Sequence, residues 1–144
     1  MHEVFADPTL AGNEQIEEAI HLFHQTPTED ALMGLCMVIR NRLIADGHLI
    51  FPADILEDTD GEQIFSFKTL DFDGMPALVA FTSQKELQKG PSTAAVSQFI
   101  DSMLENLLQM DEFGGLMLNP WGESVFLGKE DIALILTPGS ERFV

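Results

Sequence analysis

The sequence predicts an α+β domain: a mixed or antiparallel sheet of about five strands with helices packed on it, in the order ααβββααββα. Three observations predict it. Apolar residues recur at helical spacing near the start and again from about residue 91. The stretch from His48 to Ser83 breaks into short apolar or alternating runs, separated by two Asp-Gly pairs. The strands come in groups and do not alternate one by one with helices, which separates α+β from α/β. A chain of 144 residues fits one domain. Residues 1–12 read as a loose lead-in and 13–144 as that single domain.

Glu14 to Gln25 reads as the first helix, with Ile16, Ala19, Ile20 and Phe23 on one face. The next begins at TPTED. Thr26 suits an N-cap, Pro27 the first helical position, and Glu29 the far half of a capping box. Leu32, Leu35, Cys36, Ile39 and Leu43 form its stripe, widened by Met33, Met37 and Ile44. So broad a stripe predicts packing on more than one side. Gly47 suits the close of this helix.

HLIFPADIL is the first strand, and Pro52 favours an edge or a bulge for it. EDTDGE is an acidic hairpin turn. EQIFSFKTL alternates cleanly and reads as one strand; DFDG is the second turn; MPALVAFTS, more continuously apolar, reads as central. Ser83 and Glu86 have capping-box spacing for a short helix ending at Gly90. PSTAAVSQFIDSMLENLLQMD reads as a long helix, with Val96, Phe99, Ile100, Met103, Leu107 and Leu108 inward. LMLN and SVFL form a hairpin, and KEDIALIL a last helix.

Composition narrows the function classes. Twenty-four acidic residues face seven basic ones, for a net charge of −17. Such a surface repels phosphate backbones and anionic membranes, so neither nucleic acid nor membrane is the expected partner. A protein partner fits, a basic one if charge guides it, although acidic charge also serves solubility alone. Cys36 is the single cysteine, so no internal disulfide forms and no cysteine-based zinc site. No basic-then-apolar leader opens the sequence. These features predict a cytoplasmic protein.

The usual catalytic constellations are missing. There is no Lys-Ser or Lys-Thr ending a glycine-rich loop, no GxGxxG and no HExxH. No serine sits in G-x-S-x-G. The Asp-Gly turns fail an EF-hand register at both ends. Cys36 lies on an apolar stripe, where a thiol is inert. Glu17, His21 and His24 on the first helix are the one weak metal patch. No cofactor is expected, and the reading is non-enzymatic.

NPWG, Asn119 to Gly122, holds the single tryptophan. Asn119 suits an Asx-type turn, Pro120 its first central position, and Gly122 a positive φ. Turn chemistry does not require Trp121. It either folds back over the sheet or stands out as a binding anchor. FTSQKEL (Phe81 to Leu87), a long amphipathic helix, and GLMLNPWGESVFLGKEDI (Gly115 to Ile132), with FKTL before them, resemble the SseB N-terminal domain family, the enhanced-serine-sensitivity proteins. The resemblance runs from roughly Glu14 to Leu136. It implies a bacterial α+β domain with no established catalytic activity. Members often carry a second, C-terminal domain that this sequence does not show.

The leading expectation is a protein-interaction module, with Asn119, Pro120 and Trp121 as contact residues and Phe81, Thr82 and Ser83 beside them. The alternatives are a small metal-assisted enzyme using Glu17, His21 and His24, and an acidic inhibitor or immunity-like protein for a basic target. The oligomeric state is left open.

Overall fold

The computed structural model describes residues 8–137; residues 1–7 and 138–144 lie outside it, and with them most of the predicted lead-in. The described part of the lead-in, Pro8–Leu10, makes one 3-10 turn. The elements are α1 (Glu14–Gln25), α2 (Glu29–Ile44), β1 (His48–Glu57), β2 (Gln63–Phe67), β3 (Thr69–Phe72), β4 (Met75–Ala80), α3 (Gln84–Leu87), β5 (Ala95–Phe99), α4 (Ile100–Gln109), β6 (Gly115–Leu118), β7 (Val125–Gly128) and α5 (Lys129–Leu136). The α+β class holds. The sheet is richer than predicted: among the described residues, seven strands form two sheets, β2-β1-β5 and β3-β4-β6-β7.

Two differences account for the extra strands. EQIFSFKTL is two strands, because the chain leaves β1 at Lys68 and joins β4. The long predicted helix begins only at Ile100; its first part is β5, antiparallel to β1 from His48–Phe99 to Pro52–Ala95. Val96 and Phe99 suit a strand, and the open edge of β1 outweighs the helical spacing. Phe99 is therefore exposed, while Ile100, Met103, Leu104 and Leu107 are buried as α4 faces the core.

β1 organises both sheets. Ala53 N–H donates to Ala94 on the β5 side, while Ile50 exchanges two bonds of 2.9 and 2.8 Å with Phe81 on the other. Further along that second side Lys68 N–H donates to Pro52 O. Pro52 thus stands in a central strand, against the edge position predicted for it. Its missing N–H falls where the neighbour changes from Phe81 to β2, so no ladder bond is lost.

Alternation in the strands separates two apolar layers. Leu49, Phe51, Leu78, Ala80, Leu116, Leu118 and Leu127 face α1, α2, α4 and α5 in the main core. Ile50, Val79 and Phe81 face the other way, under Leu10, Leu70, Leu87 and Ala95. α2 packs against α1, α4 and α5, as its broad stripe predicted, but Met33 and Ile44 of that stripe are exposed, and Leu32, Leu35, Cys36, Met37, Ile39 and Leu43 make the contact. No helix among the described residues is long and apolar enough to cross a membrane.

The ends of α2 differ from the sequence reading. Thr28, not Thr26, is the N-cap, its hydroxyl accepting from Ala31 N–H at 3.1 Å. Thr26 instead closes α1 through a bond from its N–H to Leu22 O. At the far end Asp46 takes the left-handed conformation (φ 61°), and Gly47 N–H returns to Arg42 O at 2.8 Å. Gly47 is there for closeness: a Cβ would lie 2.8 Å from that same oxygen. The Asp73-Gly74 turn has φ of 55° and 87°, the two positive values that a type I′ hairpin needs.

β6 and β7 approach closely at Gly115, where a Cβ would lie 2.1 Å from Leu127 O. The obstacle is backbone and has no rotamer to yield. Gly115→Ala is expected to destabilise the fold by about 1–3 kcal/mol, read by urea unfolding, with Gly34→Ala, which meets open space, as the mild control.

Candidate functional site

The NPWG turn is held by buried polar groups. Asn119 takes a left-handed φ of 55°, which asparagine tolerates, and its N–H extends the ladder to Ala80 O. Its side chain grips Thr82: Oδ1 accepts from Thr82 N–H and Nδ2 donates to Thr82 Oγ1, each at 3.0 Å. The Thr82 hydroxyl donates to Glu17 Oε2 on α1. Asn13 Nδ2 donates to Thr82 O at 3.0 Å and to His48 O at 2.8 Å. Arg42 Nε holds Asn13 Oδ1 at 2.9 Å. Asn13, Thr82 and Asn119 are all buried, and all are partnered, as buried polar groups must be.

The two segments singled out in the sequence therefore do meet, and they meet inside the protein. This corrects the contact set. Thr82 and Asn119 are buried and spend their polar groups on each other and on Glu17, Phe81 is buried in the sheet, and Ser83 caps α3 by accepting from Glu86 N–H at 3.2 Å. Pro120 is half-buried. Trp121 is 44% exposed. Its indole lies on Gly90, where a Cβ would fall 2.3 Å from the ring. Gly122 presses on Glu86 and Lys89 in the same way. The tryptophan thus does both things: one side packs on the end of α3 and the other stays open.

That open side forms a wall of a cleft of about 150 Å³. Val79 and Phe81 line it from the sheet, with Pro52, Leu70 and Pro91 beside them and Lys68, Thr69, Ser92 and Thr93 supplying the polar groups. It lies on the sheet face away from the main helices. The sequence reading missed Leu70, Val79 and Pro91 as neighbours of Trp121. Only Gly90-Pro91, just past a helix stop, marked a place of close approach.

Glu17, His21 and His24 do not converge as ligands. They form a strip one and two turns apart on α1, in which Glu17 meets Thr82 while His21 and His24 hold the segment after Trp121. Glu17 holds Thr82; His21 Nδ1 lies 3.0 Å from Glu123 Oε2; His24 Nε2 donates to Ser124 O at 2.6 Å. Among the described residues no group of three His, Cys, Asp or Glu is spaced to hold a metal ion.

Three of the six described cations, Arg40, Arg42 and Lys129, are half-buried and turned inward, while Lys68, Lys85 and Lys89 are exposed. Arg40 donates to Ile135 O and Leu136 O at the end of α5, Arg42 to Asn13 and Thr9, and Lys129 to Met110 O. Burial, with Asp131 nearby, pushes the Cys36 thiol up to about 11. Compared with protein-family models, curated proteins and solved structures, the chain gives no match.

Thr82→Val and Asn119→Ala are each expected to destabilise by about 1–3 kcal/mol, because each leaves a buried partner unsatisfied. The double variant should lose less than the sum, and a double-mutant cycle from chemical unfolding reads that coupling. Cys36 gives a pH prediction. Below about pH 9 the thiol is neutral in both states. From about 9 to about 11 the unfolded thiol ionises and the folded one does not. The unfolded state then binds fewer protons, so stability falls as pH rises through that window. Cys36→Ala should show a shallower fall there than the parent, by calorimetry at stepped pH.

Proposed function

We propose that the chain is a non-enzymatic protein-interaction module that takes an apolar side chain of a protein partner into the Trp121 cleft. The observation that carries this is a tryptophan, 44% exposed, standing as a wall of an apolar hollow. Tryptophan is a favoured anchor in interfaces. A hollow of about 150 Å³ matches a cavity that admits benzene, so one aromatic or branched side chain is the right size. The net charge of −17 favours a basic partner at long range, while the one charged group lining the cleft is Lys68, so the side chain taken into the cleft itself is apolar. The acidic inhibitor reading differs only in naming the partner a basic target, and the same field supports it. The metal-assisted reading is not retained, since Glu17, His21 and His24 serve the fold.

We read the protein as cytoplasmic and as SseB-like, on the resemblance of FTSQKEL and GLMLNPWGESVFLGKEDI.

The chain has one tryptophan and no tyrosine, so fluorescence reports the cleft alone. Free protein should be quenched by acrylamide, and a captured partner should shield the indole. Trp121→Ala should weaken capture by at least roughly thirtyfold, with a melting temperature within a few degrees of the parent. Raised salt should weaken capture only in part. Unchanged capture with a fall of many degrees in melting would make Trp121 structural and sink the proposal.

A further inference from the structure

β2 is the most exposed strand of the structure. Gln63, Ile64, Phe65 and Ser66 are exposed, and only Phe67 is half-buried. Ile55 and Leu56, opposite Phe65 and Ile64 on β1, are exposed as well. The hairpin thus carries apolar side chains on both faces, Phe65 with Ile55 on one and Ile64 with Leu56 on the other. Phe65 and Phe67 lie 6.3 Å apart, and Phe67 in turn meets the buried Phe51 at 6.1 Å, so one face continues into the core.

The outer edge of β2 is also unprotected. Lys68 N–H bonds to Pro52 O, and register with β1 turns Ile64 and Ser66 the same way. By alternation the N–H and C=O groups of Gln63, Phe65 and Phe67 point outward. No described residue takes them, because β2 ends its sheet. QIFSF contains no charge, proline or glycine, the devices that normally blunt an edge. β3, by contrast, carries Asp71, and β5 and β7 are partly buried.

We propose that β2 is the surface on which two copies of this chain associate, edge to edge and antiparallel about a two-fold axis at Phe65. The charges flanking the strand favour a second copy as the occupant. With Phe65 facing Phe65 of the other copy, Gln63 faces Phe67, which pairs all three outward residues. The next positions out are Glu62 and Lys68, and each faces its opposite. In a chain of net charge −17, one of the few lysines closes the strand whose other end carries a glutamate. Lys68 holds only Asp54 of its own chain, at 3.7 Å. A two-fold contact is self-complementary, and this register is the one that satisfies backbone, apolar and charge matching together. The strand adjoins the Trp121 cleft and shares Lys68 with it, whereas Phe65 and Glu62 do not line the cleft, so Phe65→Lys and Glu62→Lys test the contact between copies apart from the proposed function.

Sedimentation equilibrium of the full chain over a wide concentration range tests it. The wild type should dimerise. Phe65→Lys should be monomeric, with the circular dichroism and melting of a folded domain, since Phe65 is already 37% exposed. Glu62→Lys and Lys68→Glu each set like charges face to face at both ends and should weaken the dimer roughly tenfold. Glu62→Lys with Lys68→Glu in one chain should restore it, and the two single variants mixed should form a heterodimer. A wild type that stays monomeric throughout overturns the proposal. So does a dimer that is indifferent to Phe65→Lys, or a double reversal no better than the singles.

Discussion

The grip of Asn119 on Thr82 is the constraint on which the rest depends. It fastens the end of β6 to the end of β4 with two side-chain bonds, in a place closed to water. Inside a low dielectric such bonds are strong, and leaving one unmade is costly. From this point the network spreads to α1 through Glu17, to the start of β1 through Asn13, and to α2 through Arg42. Strand ends, two helices and the turn are fixed relative to one another by a few amides and one hydroxyl. The position of Trp121 follows, because its turn begins at Asn119.

A fold with apolar groups on both faces of its strands has a second side to cover. The helices cover one side. On the other, Ile50, Val79 and Phe81 receive only Leu10, Leu70, Leu87 and Ala95. This thinner cover explains why the cleft lies here, with Trp121 as its wall, while the helical side is closed. The same thinning reaches its limit along the β1–β2 hairpin, where neither face is covered. Both candidate surfaces thus follow from one fact of architecture: α1, α2, α4 and α5 all serve one side of the sheets, and the short α3 gives the other side little cover.

Charge works at two scales. Locally, Arg40, Arg42 and Lys129 act as donors to carbonyls at helix ends and loops. Globally, the acidic residues set the field. Such a field, under the proposed function, draws basic partners without any acidic run in the sequence.

The sequence by itself determined the α+β class, the whole of α1, the two Asp-Gly turns, the short α3 with its Ser83 cap and the β6–β7 hairpin. These rest on local rules: apolar periodicity, capping, and turn residues that accept a positive φ. It also marked Trp121, which turn chemistry does not require, Asn119 as a turn residue, and Thr82 through the resemblance of the segment that holds it. Only the tertiary structure decided what they do. The residues at 95–99 satisfy helix and strand spacing alike, and the open edge of β1 made them a strand. Glu17, His21 and His24 share a helix face as metal ligands would, and the arrival of the segment 119–124 made them a clamp. Thr82 and Asn119 looked like surface contacts until pairing of β4 with β6 buried them together. In each case the local chemistry allowed two outcomes, and a partner distant in sequence decided between them.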